Sequence, residues 1–278
     1  MLALVSGTLA LSGCSMEEIK RGWMPGKPGI TDHTDMILNL WTGTWITAWI
    51  VGGVTWALMI WCMVAYRRRK GETGFPVQLR YHLPIEIMYT VLPIMAVGVL
   101  FYFTARDMAI ITAVDEEKTD VNIQVIGKRW AWDFNYLDSG VYDTSEQVAM
   151  NVPGTPEQPE IPTLYLPVDQ TVTLKLDSRD VIHSFWVPEF LYKEDMIPGK
   201  TDQYYQFTPH VEGTYQGKCA ELCGEYHSEM IFQVKVVSQQ EYDAKMAELR
   251  EAGQTGALEL ELGREDDGGN SAATEGEG

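Results

Sequence analysis

Positive charge is scarce in this sequence: 21 Lys and Arg face 39 Asp and Glu, for a formal net charge of -18. A phosphate backbone is bound by clustered Lys and Arg, so nucleic acid is excluded as a partner, whereas a basic protein suits such a surface. Cysteine is scarcer still. Cys14, Cys62, Cys219 and Cys223 fall in unlike surroundings, which rules out a four-cysteine disulfide framework and calls for separate explanations. Charge is missing altogether from Met36 to Tyr66, and no strong helical period appears between residues 115 and 238. The first gap predicts a membrane span and the second an outer domain built of strands. The mean hydropathy of -0.13 averages these apolar stretches with a polar remainder, as in a membrane anchor joined to one globular domain.

Residues 1–13 are small and apolar and end Leu11-Ser12-Gly13 directly before Cys14. This resembles the lipobox of a bacterial lipoprotein signal peptide, although the basic n-region is absent. Processing is expected to leave Cys14 as a lipidated first residue, followed by an extracytoplasmic segment over 14–35. The 31 uncharged residues from Met36 to Tyr66 exceed what a helix needs to cross about 30 Å of hydrocarbon. A second uncharged stretch, Ile87 to Ala105, contains Pro93 and is closed by Arg106. The two predict a transmembrane hairpin over 36–110. Between them stand Arg67-Arg68-Arg69-Lys70 and Arg80, and after them Asp115, Glu116, Glu117 and Asp120. The positive-inside rule places the loop in the cytoplasm and both ends of the hairpin outside, at a bacterial plasma membrane. Glu86, at the start of the second span, reads from position alone as a carboxylate facing a helix dipole. Cys62 reads as a packing residue.

Apolar residues alternate at Val121, Ile123 and Val125, at Val172, Leu174 and Leu176, and at Phe232, Val234 and Val236. A period of two means strands, and the punctuating Pro and Gly make residues 115–250 an all-β sandwich or barrel. Ser238-Gln-Gln-Glu241 fits a capping box for a closing helix near Tyr242, Met246 and Leu249, ending about Arg250. Residues 251–278 hold eight acids and one base with many glycines, a composition expected to be mostly disordered.

The chemistry concentrates in Cys219-Ala-Glu221-Leu-Cys223-Gly-Glu-Tyr-His227-Ser-Glu-Met230, with His183 upstream in Val-Ile-His-Ser-Phe. Thiolate, imidazole and thioether are the ligands of copper electron-transfer sites. A second cysteine allows two bridging thiolates and two copper ions, with His183 and His227 as terminal ligands, Met230 as a weak ligand and the Glu221 carbonyl as another. Two other readings stay open: a structural zinc site made by Cys219, Cys223, His227 and His183, and a disulfide between the cysteines.

The pattern C-x-E-x-C-x3-H-x2-M resembles the dinuclear copper signature of subunit II of the haem-copper cytochrome c oxidases. The likeness extends to Asp180-Val-Ile-His183-Ser, Ile197-Pro198-Gly199, Lys128-Arg129-Trp130-Ala131-Trp132 and the spacing of Glu86 from Pro93. It implies a cupredoxin-like sandwich behind two membrane helices, in a proton-pumping oxidase. It implies copper A ligands at His183, Cys219, Glu221, Cys223, His227 and Met230, and a magnesium or manganese ion, shared with subunit I, at the Glu221 side chain. Trp130 matches the residue that receives electrons from cytochrome c, Glu86 the mouth of the K proton pathway, and Asp180 an acid that docks cytochrome c. Subunits I and III are the implied partners, with haem only in the partner subunit. The stretch Tyr142 to Pro162 looks inserted, and with the acidic tail and the lipobox it leaves the donor open: cytochrome c, or a cytochrome c domain of a bc-type complex. A quinol oxidase subunit lacks the copper ligands, and a copper-delivery protein needs neither two spans nor the Trp130 stretch.

Overall fold

The computed structural model describes residues 15–71, 73–75, 78–145 and 161–260. The signal segment with Cys14, most of the expected insertion and residues 261–278 lie outside the described residues. Two compact units emerge: Met1–Met24 with Asp35–Ile111, and Pro25–Thr34 with Thr112–Gly278.

The first unit holds α1 (Met16–Lys20), α2 (Thr34–Ala65) and α3 (Leu83–Ile111). Ser15 and Glu18 close a reciprocal capping box on α1. α2 and α3 run 32 and 29 residues, roughly 48 and 43 Å at 1.5 Å per residue, longer than the hydrocarbon core. Both present large apolar side chains outward, among them Trp49, Trp56, Ile94 and Phe101. Their threonines keep no free hydroxyl: Thr44, Thr55, Thr90 and Thr104 each donate to the carbonyl four residues back, as lipid requires. The helices outrun the uncharged windows, because backbone hydrogen bonding continues through Arg106 and Asp107, which pair at 2.7 Å. Cys62 lies exposed on α2, on the apolar surface of a helix of membrane-crossing length.

The second unit is a sandwich of two five-stranded sheets, ordered β3-β2-β1-β5-β8 and β4-β10-β9-β6-β7. The strands of the first are β1 (Val121–Lys128), β2 (Ala131–Tyr136), β3 (Val141–Thr144), β5 (Val172–Ser178) and β8 (Tyr204–Phe207). Those of the second are β4 (Thr163–Pro167), β6 (His183–Val187), β7 (Tyr192–Met196), β9 (Gly213–Cys219) and β10 (Ile231–Val237). Alternation turns Val121, Ile123 and Val125 of β1 and Leu174 and Leu176 of β5 into the core. There Phe232 lies 4.7 Å from Trp132 and 4.8 Å from Phe185 between ring centroids. Each such side chain contributes about 1.5–3 kcal/mol when fully buried. Tyr142 to Thr144, expected to begin an insertion, instead belong to β3 and pair with β2.

α4 (Gln239–Glu251) closes the sandwich, with Ser238 Oγ accepting from the Glu241 N–H at 3.3 Å. The disorder expected from residue 251 does not begin there. Tyr142 N–H donates to Gln254 O and Gly256 N–H to Gly140 O. The Asn135 amide then pairs with both backbone groups of Leu258, at 2.9 and 3.0 Å. Polar partners on β2 and β3 supply the order that composition alone does not.

Candidate metal centre

β9 ends at Cys219 and β10 starts at Ile231, so the intervening residues form a long hairpin loop whose neck is closed by Cys219 N–H donating to Met230 O at 2.9 Å. Gly224 turns the loop at φ +123, a conformation that disfavours a side chain. A short 3-10 turn, His227–Glu229, then brings His227 back toward the sulfurs. His183 arrives from the neighbouring strand, where β6 pairs Phe185 with Cys219.

The structure gathers all six expected ligand residues. The two sulfurs are 3.9 Å apart, far beyond a disulfide bond of about 2.05 Å. Cys219 Sγ lies 3.8 Å from His183 Nδ1 and 3.2 Å from the Glu221 carbonyl oxygen. Cys223 Sγ lies 3.5 Å from His227 Nδ1 and 3.8 Å from Met230 Sδ. His183, Cys219 and Cys223 offer donor atoms all within 4.8 Å of one another. His183, Met230 and both cysteines are at most 4% exposed. A metal–thiolate bond is about 2.3 Å, so one ion can touch both sulfurs, and the soft, buried donor set fits copper.

Electrostatics favour a cation here. The Cys219 thiolate is stabilised by the thiol of Cys223 and, despite burial, by His183, so its pKa is held well below that of an ordinary thiol. The same contact pushes the Cys223 thiol far up. Two thiolates this close therefore need positive charge between them.

His183 is clamped from behind. Its Nε2 meets Asp180 Oδ1 at 2.7 Å, leaving Nδ1 for the sulfur side, the usual way a carboxylate orients a ligand imidazole. Burial pushes His183 down, but Asp180 and Cys219 more than offset it and the net direction is up. Burial likewise pushes Asp180 up, and bonds from His183, Arg129 N–H and Val181 N–H outweigh it, so the carboxyl is held low. Both Asp180 oxygens are thus engaged inward and its side chain is 15% exposed. That arrangement makes Asp180 a support for the His183 ring. Gly127 completes the clamp: a Cβ there would stand 3.0 Å from His183 Cδ2. Sequence reasoning missed Gly127, although a glycine inside a strand pattern marks such close approach.

Trp130 lies against the ligand loop. A Cβ on Gly224 would meet Trp130 Cζ2 at 3.0 Å, and the indole meets Tyr226 edge-on with centroids 4.9 Å apart. The Glu221 side chain is exposed beside the centre. Glu86 sits in the first turn of α3 and accepts from His82 N–H at 2.8 Å.

A cupredoxin-like sandwich bearing a buried His and Cys cluster, in a chain with two apolar helices of membrane-crossing length, defines a membrane-bound electron-transfer metalloprotein. The family described as cytochrome C oxidase subunit II, periplasmic domain, matches residues 121–237. Probable cytochrome c oxidase subunit 2 of Streptomyces avermitilis is 40% identical, covering 91% of this chain and 88% of that protein. The Streptomyces coelicolor counterpart is also 40% identical, with 91% and 88% covered. Among solved structures, the periplasmic domain of subunit II of cytochrome oxidase of Bradyrhizobium japonicum matches 49% of this chain and 96% of its own, at 29% identity and a TM-score of 0.43. The chain belongs to the cytochrome c oxidase subunit II family. It is part of an oxidoreductase complex of the cytochrome c oxidase type, in which it transfers electrons toward subunit I, and its β domain lies outside the bacterial membrane.

Proposed function

We propose that the centre is a dinuclear copper A site held by His183, Cys219, the Glu221 carbonyl, Cys223, His227 and Met230, receiving electrons from a cytochrome c. The observation that carries this reading is the count and arrangement of donors. Each sulfur has one imidazole nitrogen and one weak donor beside it, six donors in all. A structural zinc ion takes four and has no use for a thioether. His227 also falls outside the group whose donor atoms lie within 4.8 Å of one another, which favours two ions over one.

When bound, the copper pair would supply a one-electron carrier with its charge shared between both metals. The chain's own residues do the rest. Asp180 and Gly127 fix the His183 ring, and the buried sulfurs exclude water, so that little rearrangement accompanies a change of charge. Trp130 links the surface to the ligand loop through its contacts at Gly224 and Tyr226, which supports it as the point where electrons arrive. The exposed Glu221 carboxylate would share a magnesium or manganese ion with subunit I, while its carbonyl lies 3.2 Å from Cys219 Sγ. Glu86 serves as the mouth of the proton pathway, with its carboxylate on the His82 N–H at rest. The partners are subunits I and III and either cytochrome c or a cytochrome c domain of a bc-type complex; Cys14 carries a lipid anchor.

The test is a copper and zinc count with visible and EPR spectra on the purified oxidase. Two coppers per subunit II, beyond those of subunit I, with a mixed-valence signal from two equivalent coppers, is the expected result. Zinc at this site, or one spectroscopically silent copper, overturns it. Trp130→Phe should leave that signal intact while slowing reduction by the donor at least about tenfold, a barrier increase of about 1.4 kcal/mol.

A further inference from the structure

The outer face of the metal-bearing sheet departs from the charge of the rest of the chain. Strand pairing sets Trp186 of β6 between Lys193 of β7 and Lys218 of β9, with Lys218 Nζ 4.7 Å over the indole. Further along the same face Lys235 of β10 lies over Tyr165 of β4, 5.4 Å from its ring centre. The strands and closing helix carry six lysines. Lys128, Lys175 and Lys245 each have a carboxylate partner, at 2.6, 3.3 and 2.7 Å. Among the described residues Lys193, Lys218 and Lys235 have no carboxylate partner, and all three stand on this one face, where Asp195 is the acid in register. In a chain with 39 acids and 21 bases, three lysines without a carboxylate partner on one sheet face, one of them donating to the Tyr165 hydroxyl at 3.4 Å, form a positive patch complementary to an acidic segment.

We propose that the occupant is the chain's own C-terminal segment, residues 261–278. It carries six carboxylates against Arg264 alone. It starts from a fixed point: Leu258 is held by Asn135, and Glu259 O accepts from Arg179 at 3.3 Å. At roughly 3.3–3.6 Å per residue its 18 residues reach about 60 Å. Sheets packed about 10 Å apart give a sandwich roughly 25 Å thick with its side chains, so the far face is within range. Exposed ion pairs are individually weak, too weak to hold a free peptide. Tethering raises the local concentration to the order of millimolar, so the segment returns to the face repeatedly and covers it part of the time.

The consequence is electrostatic. Lys218 directly precedes the ligand Cys219, so an uncovered face would repel a cationic donor close to the metal strand. Covered, the domain presents net negative charge there as well, and a basic donor is steered without a repelling side. The contact stands without the copper reading; only this consequence for the donor rests on it.

The test is carbodiimide cross-linking of the purified oxidase complex, which joins lysines to carboxylates in contact, followed by mass spectrometry. Complexes with the full chain and with a chain ending at Leu260 are compared. The expected result is links from Lys193, Lys218 and Lys235 to Glu265, Asp266 and Asp267, lost at high ionic strength. Links from the same lysines to another subunit instead, revealing an acidic protein partner, overturn the proposal. So does a tail that links to Lys27 and Lys200 as often as to this face.

Discussion

Replacing Gly127 with alanine tests whether the strand behind His183 sets the position of that ligand. The new methyl carbon would stand 3.0, 3.1 and 3.2 Å from Cδ2, Cγ and Cβ of His183. Carbon atoms in good contact lie about 3.5–4.0 Å apart, so the ring has to retreat by roughly half an ångström. It has little room: His183 is 0% exposed, Nε2 is 2.7 Å from Asp180 and Nδ1 is 3.8 Å from Cys219 Sγ. Overpacking of this kind costs about 1–3 kcal/mol. For a domain of this size a midrange 2 kcal/mol lowers Tm by about 4–8 °C. The assay is heating of the purified oxidase while the visible band of the metal centre is followed, with copper content and imidazole hyperfine couplings recorded before heating. The expected outcome is an earlier loss of the band and altered couplings from one imidazole. Gly213→Ala, in the same domain at a site where a Cβ makes only ordinary contact with Tyr215 at 3.5 Å, serves as the control. If Gly127→Ala matches it in Tm, copper content and couplings, the clamp reasoning is refuted.

Asp180→Asn keeps the shape of the side chain and removes its charge, so copper affinity in chelator competition should fall about 10–100-fold, as for other outer-shell partners. Unchanged affinity with a flatter salt dependence of reduction by the donor would return Asp180 to a docking role. Burial pushes the Tyr242 phenol up to about 12, above an unfolded value of about 10. The neutral phenol is therefore the form the fold favours: its contribution is complete below about pH 10 and is lost as pH rises toward 12, about 2–3 kcal/mol in total. Tyr242→Phe should lose less stability than the parent between about pH 9 and pH 11 in denaturant titrations; equal losses count against the assignment. Ending the chain at Leu260 should lower thermal stability only slightly, because it removes weak exposed ion pairs alone. Ending it at Glu251 removes the Asn135 pairing with Leu258 and should lower stability by about 2 kcal/mol, at about 1 kcal/mol per hydrogen bond. Equal melting of the two truncated chains would show that residues 252–260 contribute nothing.

The clustering of the candidate metal-site residues was legible in the sequence because five of them sit in one hairpin loop, where spacing along the chain is nearly spacing in space. The apolar alternation of β1, β5 and β10 was legible for a similar local reason: one face of each is core. What supports the ligands is not local. Asp180 looks like a solvated turn acid until the end of β5 brings it beneath the His183 ring, where it orients that imidazole. Residues 252–260 look disordered by composition, yet Leu258 is fixed by Asn135, 123 positions away, whose own place in β2 reads only as a polar residue on an outward face. The same separation explains the three lysines. In sequence they are isolated cations on alternate strand positions, and only the order β10-β9-β6-β7 makes them one surface. Chemistry in this chain is thus written in short spacings and its control in strand order, so substitutions at Gly127, Asp180 and the lysine face probe what the ligand motif does not encode.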